Sequence, residues 1–160
     1  MVVPHSRPPR QRYTVIHQPL CQGENDMIKI AGLDHIVLRT TRMEEMLHFY
    51  GTVLGCPVER ELPAEVGLVQ LRAGSALIDL VPVDSDLGRA GGGPPTPSDN
   101  NMDHFCLQVE PMPEAEISRY LASHGVEAGA FELRYGAQGF GNSLYLNDPE
   151  GNTVELRNRL

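Results

Sequence analysis

Lysine is almost missing from this chain. Lys29 is the only one in 160 residues, and 13 Lys and Arg face 21 Asp and Glu for a formal charge of −8. Clustered cations are what a phosphate backbone selects, so no nucleic-acid partner is expected. Cysteine is scarce too: Cys21, Cys56 and Cys106 are odd in number and lack CxxC spacing. That excludes a disulfide framework and predicts a reducing, cytoplasmic setting. No apolar run approaches the roughly 20 residues of a membrane span, so no membrane partner is expected. What is present is a hydrophobic fraction of 41%, enough for a core without staples in one domain or two fused halves.

The chain also repeats itself. Leu33-Asp34-His35-Ile36-Val37-Leu38 returns as Met102-Asp103-His104-Phe105-Cys106-Leu107. Each copy closes on a second matching phrase, Ile78-Asp79-Leu80 in the first and Val154-Glu155-Leu156 in the second. Such self-similarity reads as two copies of one supersecondary unit.

Residues 1–26 stand apart, with Pro4, Pro8, Pro9 and Pro19, three arginines and no acid before Glu24. The prolines oppose the amphipathic helix of a transit peptide, and the stretch reads as a disordered extension, with Met27 a candidate start. Residues 27–83 form the first unit. Asp34 to Thr40 alternates as a strand, and Thr41 with Glu44 forms a capping box. Met43, Met46, Leu47, Tyr50 and Leu54 share one helical face until Gly55. Pro57–Leu62, Leu68–Arg72 and Ala76–Val81 then read as strands, the last two joined at Ala73-Gly74. The order is β-α-β-β-β.

Residues 84–101, with Gly91-Gly92-Gly93-Pro94-Pro95, read as a Gly/Pro linker. Residues 102–160 repeat the unit. Met102–Val109 is a strand, and Pro113 to His124 a helix with Ile117, Tyr120, Leu121 and His124 inward and Gly125 as its stop. Val126–Leu133 is a further strand. Asn142–Leu146 and Thr153–Arg157 form a hairpin about Asp148-Pro149-Glu150-Gly151-Asn152. Residues 135–141 carry three glycines and read as a loop over a site.

Strand alternation sorts these residues by face. His35, Val37 and Arg39 oppose Ile36 and Leu38; His104, Cys106 and Gln108 oppose Phe105, Leu107 and Val109. Asp79 opposes Ile78 and Leu80, and Glu155 opposes Val154 and Leu156. Each unit thus has an apolar face for its helix and a mixed face with one His and one carboxylate. Mixed faces curved toward each other would form a cup with His35, Asp79, His104 and Glu155 at its base. Taken singly, these are ordinary satisfied histidines and solvated acids. Their coincidence at repeat-equivalent positions points to a divalent first-row metal, or its vestige, with coordination positions left open for chemistry. Cys106 reads as a small buried packing residue without a basic partner, and His48 and His124 as structural or exposed.

With Phe49-Tyr50-x-x-x-Leu54-Gly55 and Tyr145-Leu-Asn-Asp148-Pro149-Glu-Gly151-Asn152-x-Val-Glu155-Leu156 added, residues 33–157 resemble the vicinal oxygen chelate superfamily. Its members include glyoxalase I, fosfomycin-resistance thiol transferases, methylmalonyl-CoA epimerase, extradiol dioxygenases and bleomycin-resistance proteins. The resemblance implies an α+β fold of two paired βαβββ modules. They form an open, cupped mixed barrel with helices outside, in one domain of about 31–158. It implies a homodimer, a small-molecule substrate and one divalent ion (Fe, Mn, Ni, Co or Zn) on His35, His104 and Glu155. The fourth place, Glu in many glyoxalases and Gln in the epimerase, holds Asp79, one methylene shorter.

Three activities follow from the resemblance. In the first, glyoxalase-like lyase or isomerase chemistry, Glu155 is the base and Asp79 its partner. Arg39 then matches an arginine that contacts a substrate carboxylate, although Val83 stands where some glyoxalases carry an amide. In the second, Fe(II) extradiol dioxygenation, Tyr145 is a donor beside the metal, but the further histidines of those enzymes are missing after His124. The third is a metal-free binding module of the bleomycin-resistance kind. The ligand set favours an enzyme, and lyase or isomerase chemistry leads.

Overall fold

The computed structural model describes residues 33–96 and 102–159. Residues 1–26 and the expectation of an extension there lie outside them. Among the described residues eight strands make two four-stranded sheets, ordered β1-β4-β3-β2 and β5-β8-β7-β6. The first contains β1 (His35–Thr40), β2 (Val58–Glu61), β3 (Val69–Ala73) and β4 (Ala76–Pro82). The second contains β5 (Phe105–Val109), β6 (Glu132–Gly136), β7 (Gly139–Asn147) and β8 (Thr153–Asn158). In each sheet the opening strand runs parallel to the closing one, β1 to β4 and β5 to β8, and the remaining neighbours are antiparallel. The sheets are not closed into a barrel, and the α+β architecture of two repeated units is the expected one. Among the described residues no helix is long and apolar enough to cross a membrane.

Alternation produces the core. Leu38, Ile78, Leu80, Leu144, Leu146, Val154 and Leu156 are buried in one cluster with Met46, Phe49, Tyr50, Ile117 and Leu121 from the helices. Both units therefore share one core. At about 25 cal/mol per Å² of apolar surface withdrawn from water, this burial is the main stabilising term.

Several local expectations fail, each for a physical reason. The helix after β1 is α1 (Met43–Leu47), which continues as a π-helical segment, His48–Val53. There the Leu54 amide donates to the Phe49 carbonyl at 2.9 Å, and the wider turn keeps Phe49, Tyr50 and Val53 all buried. The capping box does not form, because no side chain of the helix caps it and Arg42 is the N-cap residue. Glu150, from the β7–β8 turn, does that work instead. Its Oε1 accepts from Thr40 Oγ1 at 2.6 Å, the Thr41 amide at 2.5 Å and Thr41 Oγ1 at 3.0 Å. Thr40 Oγ1 in turn accepts the Arg42 amide at 2.7 Å.

The linker is not featureless, since α2 (Asp86–Ala90) forms within it, with Ser85 Oγ accepting the Gly88 amide at 3.0 Å. Helix α3 (Glu114–Ser123) buries Ile117 and Leu121, but Tyr120 stays 43% exposed and His124 exposed, which corrects their inward placement. Tyr120 reaches over the core edge and donates to the Val53 carbonyl at 3.0 Å. The strand expected over 126–133 is displaced to β6, leaving one bridge between Ala128 and Leu146.

The largest correction concerns residues 135–141. They are no loop, but the tip of the β6–β7 hairpin, with Tyr135 in register with Phe140 and Gly136 with Gly139. Gly139, at φ +86°, serves the turn, but Gly136 and Gly141 make room for a side chain. A Cβ at Gly136 would sit 3.0 Å from Arg157 Nη1, and one at Gly141 2.9 Å from Nη2. The buried Arg157 guanidinium lies across the hairpin and donates to the carbonyls of Arg134 and Gly139.

Asp148 ties the units together. Its buried carboxylate accepts from Tyr50 Oη at 2.7 Å, the amides of Glu150 at 3.0 Å and Asn152 at 2.8 Å, and Asn152 Nδ2 at 2.8 Å. Burial, with the Asp148 carboxylate beside it, pushes the Tyr50 hydroxyl far above its ordinary value. Tyr50→Phe removes one donor from a buried charge and is expected to cost about 1–3 kcal/mol, measured by urea unfolding. Burial pushes the Glu150 carboxyl up, but the bonds from Thr40 and Thr41 outweigh it and hold it below its usual range. A carboxyl depressed in the fold stabilises above its unfolded value and loses that contribution as pH falls through the folded one. Unfolding free energy of the parent should therefore fall more steeply with acid than that of Glu150→Gln; parallel curves would rule the cap out.

Candidate metal centre

The parallel strand pairs place each His diagonal to its carboxylate on one face. Val37 is the residue in register with Asp79, and Cys106 the one in register with Glu155, so the ligand candidates His35 and His104 stand two residues before those pairs. Burial then treats the two kinds of group differently. Asp79 and Glu155 are buried at 5% and 6% exposure, whereas the His35 side chain is 47% exposed and that of His104 33%.

In the first half-site Gln70, in register with Asp79 on β3, donates its amide to both carboxylate oxygens at 3.0 and 3.1 Å. His35 turns its Nδ1 back to Asp34 Oδ1 at 2.6 Å. That hydrogen bond is the largest cause raising the His35 imidazole above its usual range; slight burial works against it, and Asp79 adds to the rise.

The second half-site is tighter. His104 Nδ1 lies 2.6 Å from Asp103 Oδ2, and its Nε2 lies 3.2 Å from Glu155 Oε2. Tyr145, in register with Glu155, packs its ring edge-on to His104 at 5.2 Å, and the Arg134 guanidinium stands over the Tyr145 ring at 5.9 Å. Burial pushes the Tyr145 hydroxyl up, Arg134 opposes, and Glu155 adds to the rise. Cys106 is exposed as a residue, which corrects its expected burial, yet partial burial of its thiol pushes it up to about 11, with Glu155 adding and Arg157 opposing. A thiol in that range is protonated at neutral pH and a poor nucleophile.

His35 thus shares its face with Asp79, and His104 meets Glu155 and Tyr145. The two pairs do not merge. Among the described residues no group of three or more His, Cys, Asp or Glu side chains is placed to hold one ion. Arg39 is engaged elsewhere, its Nη2 donating to the carbonyls of Gly92 and Gly93 at 2.6 and 2.7 Å and of Gly88 at 3.2 Å. A groove of about 630 Å³ between Phe49, residues 125–129 and residues 145–149 contains neither His–carboxylate pair, though Tyr145 lines it. Four residues beside the pairs escaped the sequence reading. Asp34 and Asp103 could have been found in the repeated phrase itself, and Arg157 as a cation in an apolar strand. Gln70 carried no signal without the strand register.

Solved structures share this fold. An integron cassette protein from the mobile metagenome of V. cholerae is 25% identical, with 84% of this chain and 99% of that one covered and a TM-score of 0.64. A virulence protein from Salmonella typhimurium is 22% identical over 83% of this chain and 100% of that one, with a TM-score of 0.62. A lactoylglutathione lyase from Agrobacterium tumefaciens is 20% identical over 81% and 95%, with a TM-score of 0.59. Among curated proteins, none matches. Residues 32–156 match one family description, and with it the doubled β-α-β-β-β unit has its place: the chain belongs to the Glyoxalase/Bleomycin resistance protein/Dioxygenase superfamily.

Proposed function

We propose that this chain is a divalent-metal-dependent enzyme of the lyase or isomerase kind, acting on a small oxygenated metabolite. The observation that carries the reading is the same half-site built twice: a carboxylate buried in the strand, and a histidine on the same face held from behind through Nδ1. The donor chemistry fits a borderline first-row ion such as Fe, Mn, Ni, Co or Zn. So does the spacing of the second pair. Two bonds of about 2.1 Å meeting at a right angle put their donors about 3.0 Å apart; His104 Nε2 and Glu155 Oε2 are 3.2 Å apart.

His35, His104 and Glu155 would hold the ion, with Asp79 as fourth ligand or bound through water. When bound, the ion supplies Lewis acidity to a substrate oxygen. Glu155, buried and within the cup, takes the proton from the carbon beside that oxygen and returns it to the neighbouring atom. Tyr145 orients the carboxylate, its hydroxyl lying between Glu155 and Arg134. Gln70 holds Asp79 in one rotamer, so the two carboxylates have unequal freedom.

Two half-sites must face each other to complete the set. β1 and β5 are the outer strands of their sheets, and Val37, on the His35 face, is 52% exposed. Pairing of two copies, the first half-site of one with the second of its partner, would build two complete sites in a homodimer. Tyr145 beside His104 favours a second reading, an Fe(II) dioxygenase of the extradiol type, which differs in consuming O2.

The parent protein, purified untagged, should hold divalent metal, and His35→Ala and Glu155→Gln should each deplete it. Elemental analysis decides, and a parent empty under every metal supplement turns the reading to the metal-free binding module. Glu155→Gln should also lower kcat/KM for proton exchange on a 2-oxo or α-hydroxyacyl substrate by about 10²–10⁴-fold, whereas oxygen uptake with a catechol would install the dioxygenase. Mixing those two inactive variants tests the pairing. Sites shared between copies recover about a quarter of parental activity after subunit exchange, and sites within one chain recover none.

A further inference from the structure

Asp34 and Asp103 are absent from the ligand set, yet each makes the same contact. Each accepts at 2.6 Å from Nδ1 of the histidine that follows it. Both aspartates stand just outside the regular strand, and His104 itself precedes β5. Their side chains therefore escape the alternation that would send neighbouring residues to opposite faces. The backbone of Asp34 is fixed, because its carbonyl accepts the Leu77 amide from β4 at 2.9 Å.

We infer that Asp34 and Asp103 are positioning residues that set the tautomer of His35 and His104, keeping the proton on Nδ1 and the Nε2 lone pair bare for a metal ion. This rests on the metal reading above. Neutral imidazole in water prefers the proton on Nε2, the tautomer that blocks that nitrogen as a ligand. A carboxylate at Nδ1 reverses the preference, fixes the ring plane and raises the basicity of Nε2. In the second half-site Nε2 of His104 lies 3.2 Å from Glu155 Oε2, where two lone pairs repel unless an ion or a proton stands between them. A simple surface ion pair would explain one such contact. It does not explain why both units place it on the same ring nitrogen at the same distance.

The side chains of Asp34 and Asp103 are 92% and 96% exposed, so replacing them leaves the core intact. The test uses the metal-free full chain and its Asp34→Ala, Asp34→Asn, Asp103→Ala and Asp103→Asn variants. Imidazole ¹⁵N shifts are recorded at about pH 9, above the usual histidine range. Zinc affinity is then measured by competition with a chromogenic chelator. The parent should show Nδ1–H at both histidines. Each alanine variant should turn its own histidine to Nε2–H and bind zinc about 10–100-fold more weakly, with the asparagine variants in between. Nε2–H in the parent, or equal zinc affinity in parent and variants, overturns the inference and leaves the metal reading standing. A parent that binds no divalent ion overturns both.

Discussion

The carboxylate of Asp148 holds the arrangement together. Among the described residues it forms no ion pair and is held by donors: the Tyr50 hydroxyl from the first unit, and two amides and a side-chain amide from its own turn. A buried charge is tolerable only when its lone pairs are filled, so the turn has one shape and the helix one docking position. The turn shape sets the β7–β8 register, and that register puts Tyr145 opposite Glu155. Glu150, in the same turn, supplies the cap that α1 lacks. One five-residue turn thus fixes a helix of the other unit and the buried Glu155 of its own.

Strand faces were legible because alternation is a local rule, and the strand registers set Asp79 beside Val37 and Glu155 beside Cys106, on the faces expected of them. The helix start was misread because a capping box is inferred from neighbours in sequence, while Glu150 is a neighbour only in space. The hairpin at 135–141 was misread because glycine has two uses. It breaks regular structure, but it also permits close approach, and Arg157 makes the second use decisive. The pairing of His with carboxylate within each unit was written in the repeat. Whether the two pairs meet depends on how whole sheets face each other, which no local pattern encodes.

The two half-sites have diverged in stiffness as well as in residue type. Asp79 is gripped at both oxygens by Gln70, while Glu155, one methylene longer, reaches His104 and Tyr145. A short, clamped carboxylate suits a fixed ligand or a water anchor. The longer one, with a phenol and a guanidinium near it, suits a group whose proton load changes during a cycle. Two acids at repeat-equivalent positions thus sit in unlike surroundings.

Arg157 has a consequence for how this sequence can drift. Its guanidinium occupies the space that side chains at positions 136 and 141 would need. A larger residue at either glycine position needs the guanidinium to shift or residue 157 to shorten, and either change loosens its bonds to the carbonyls of Arg134 and Gly139. A substitution at one of the three positions is therefore felt at the other two.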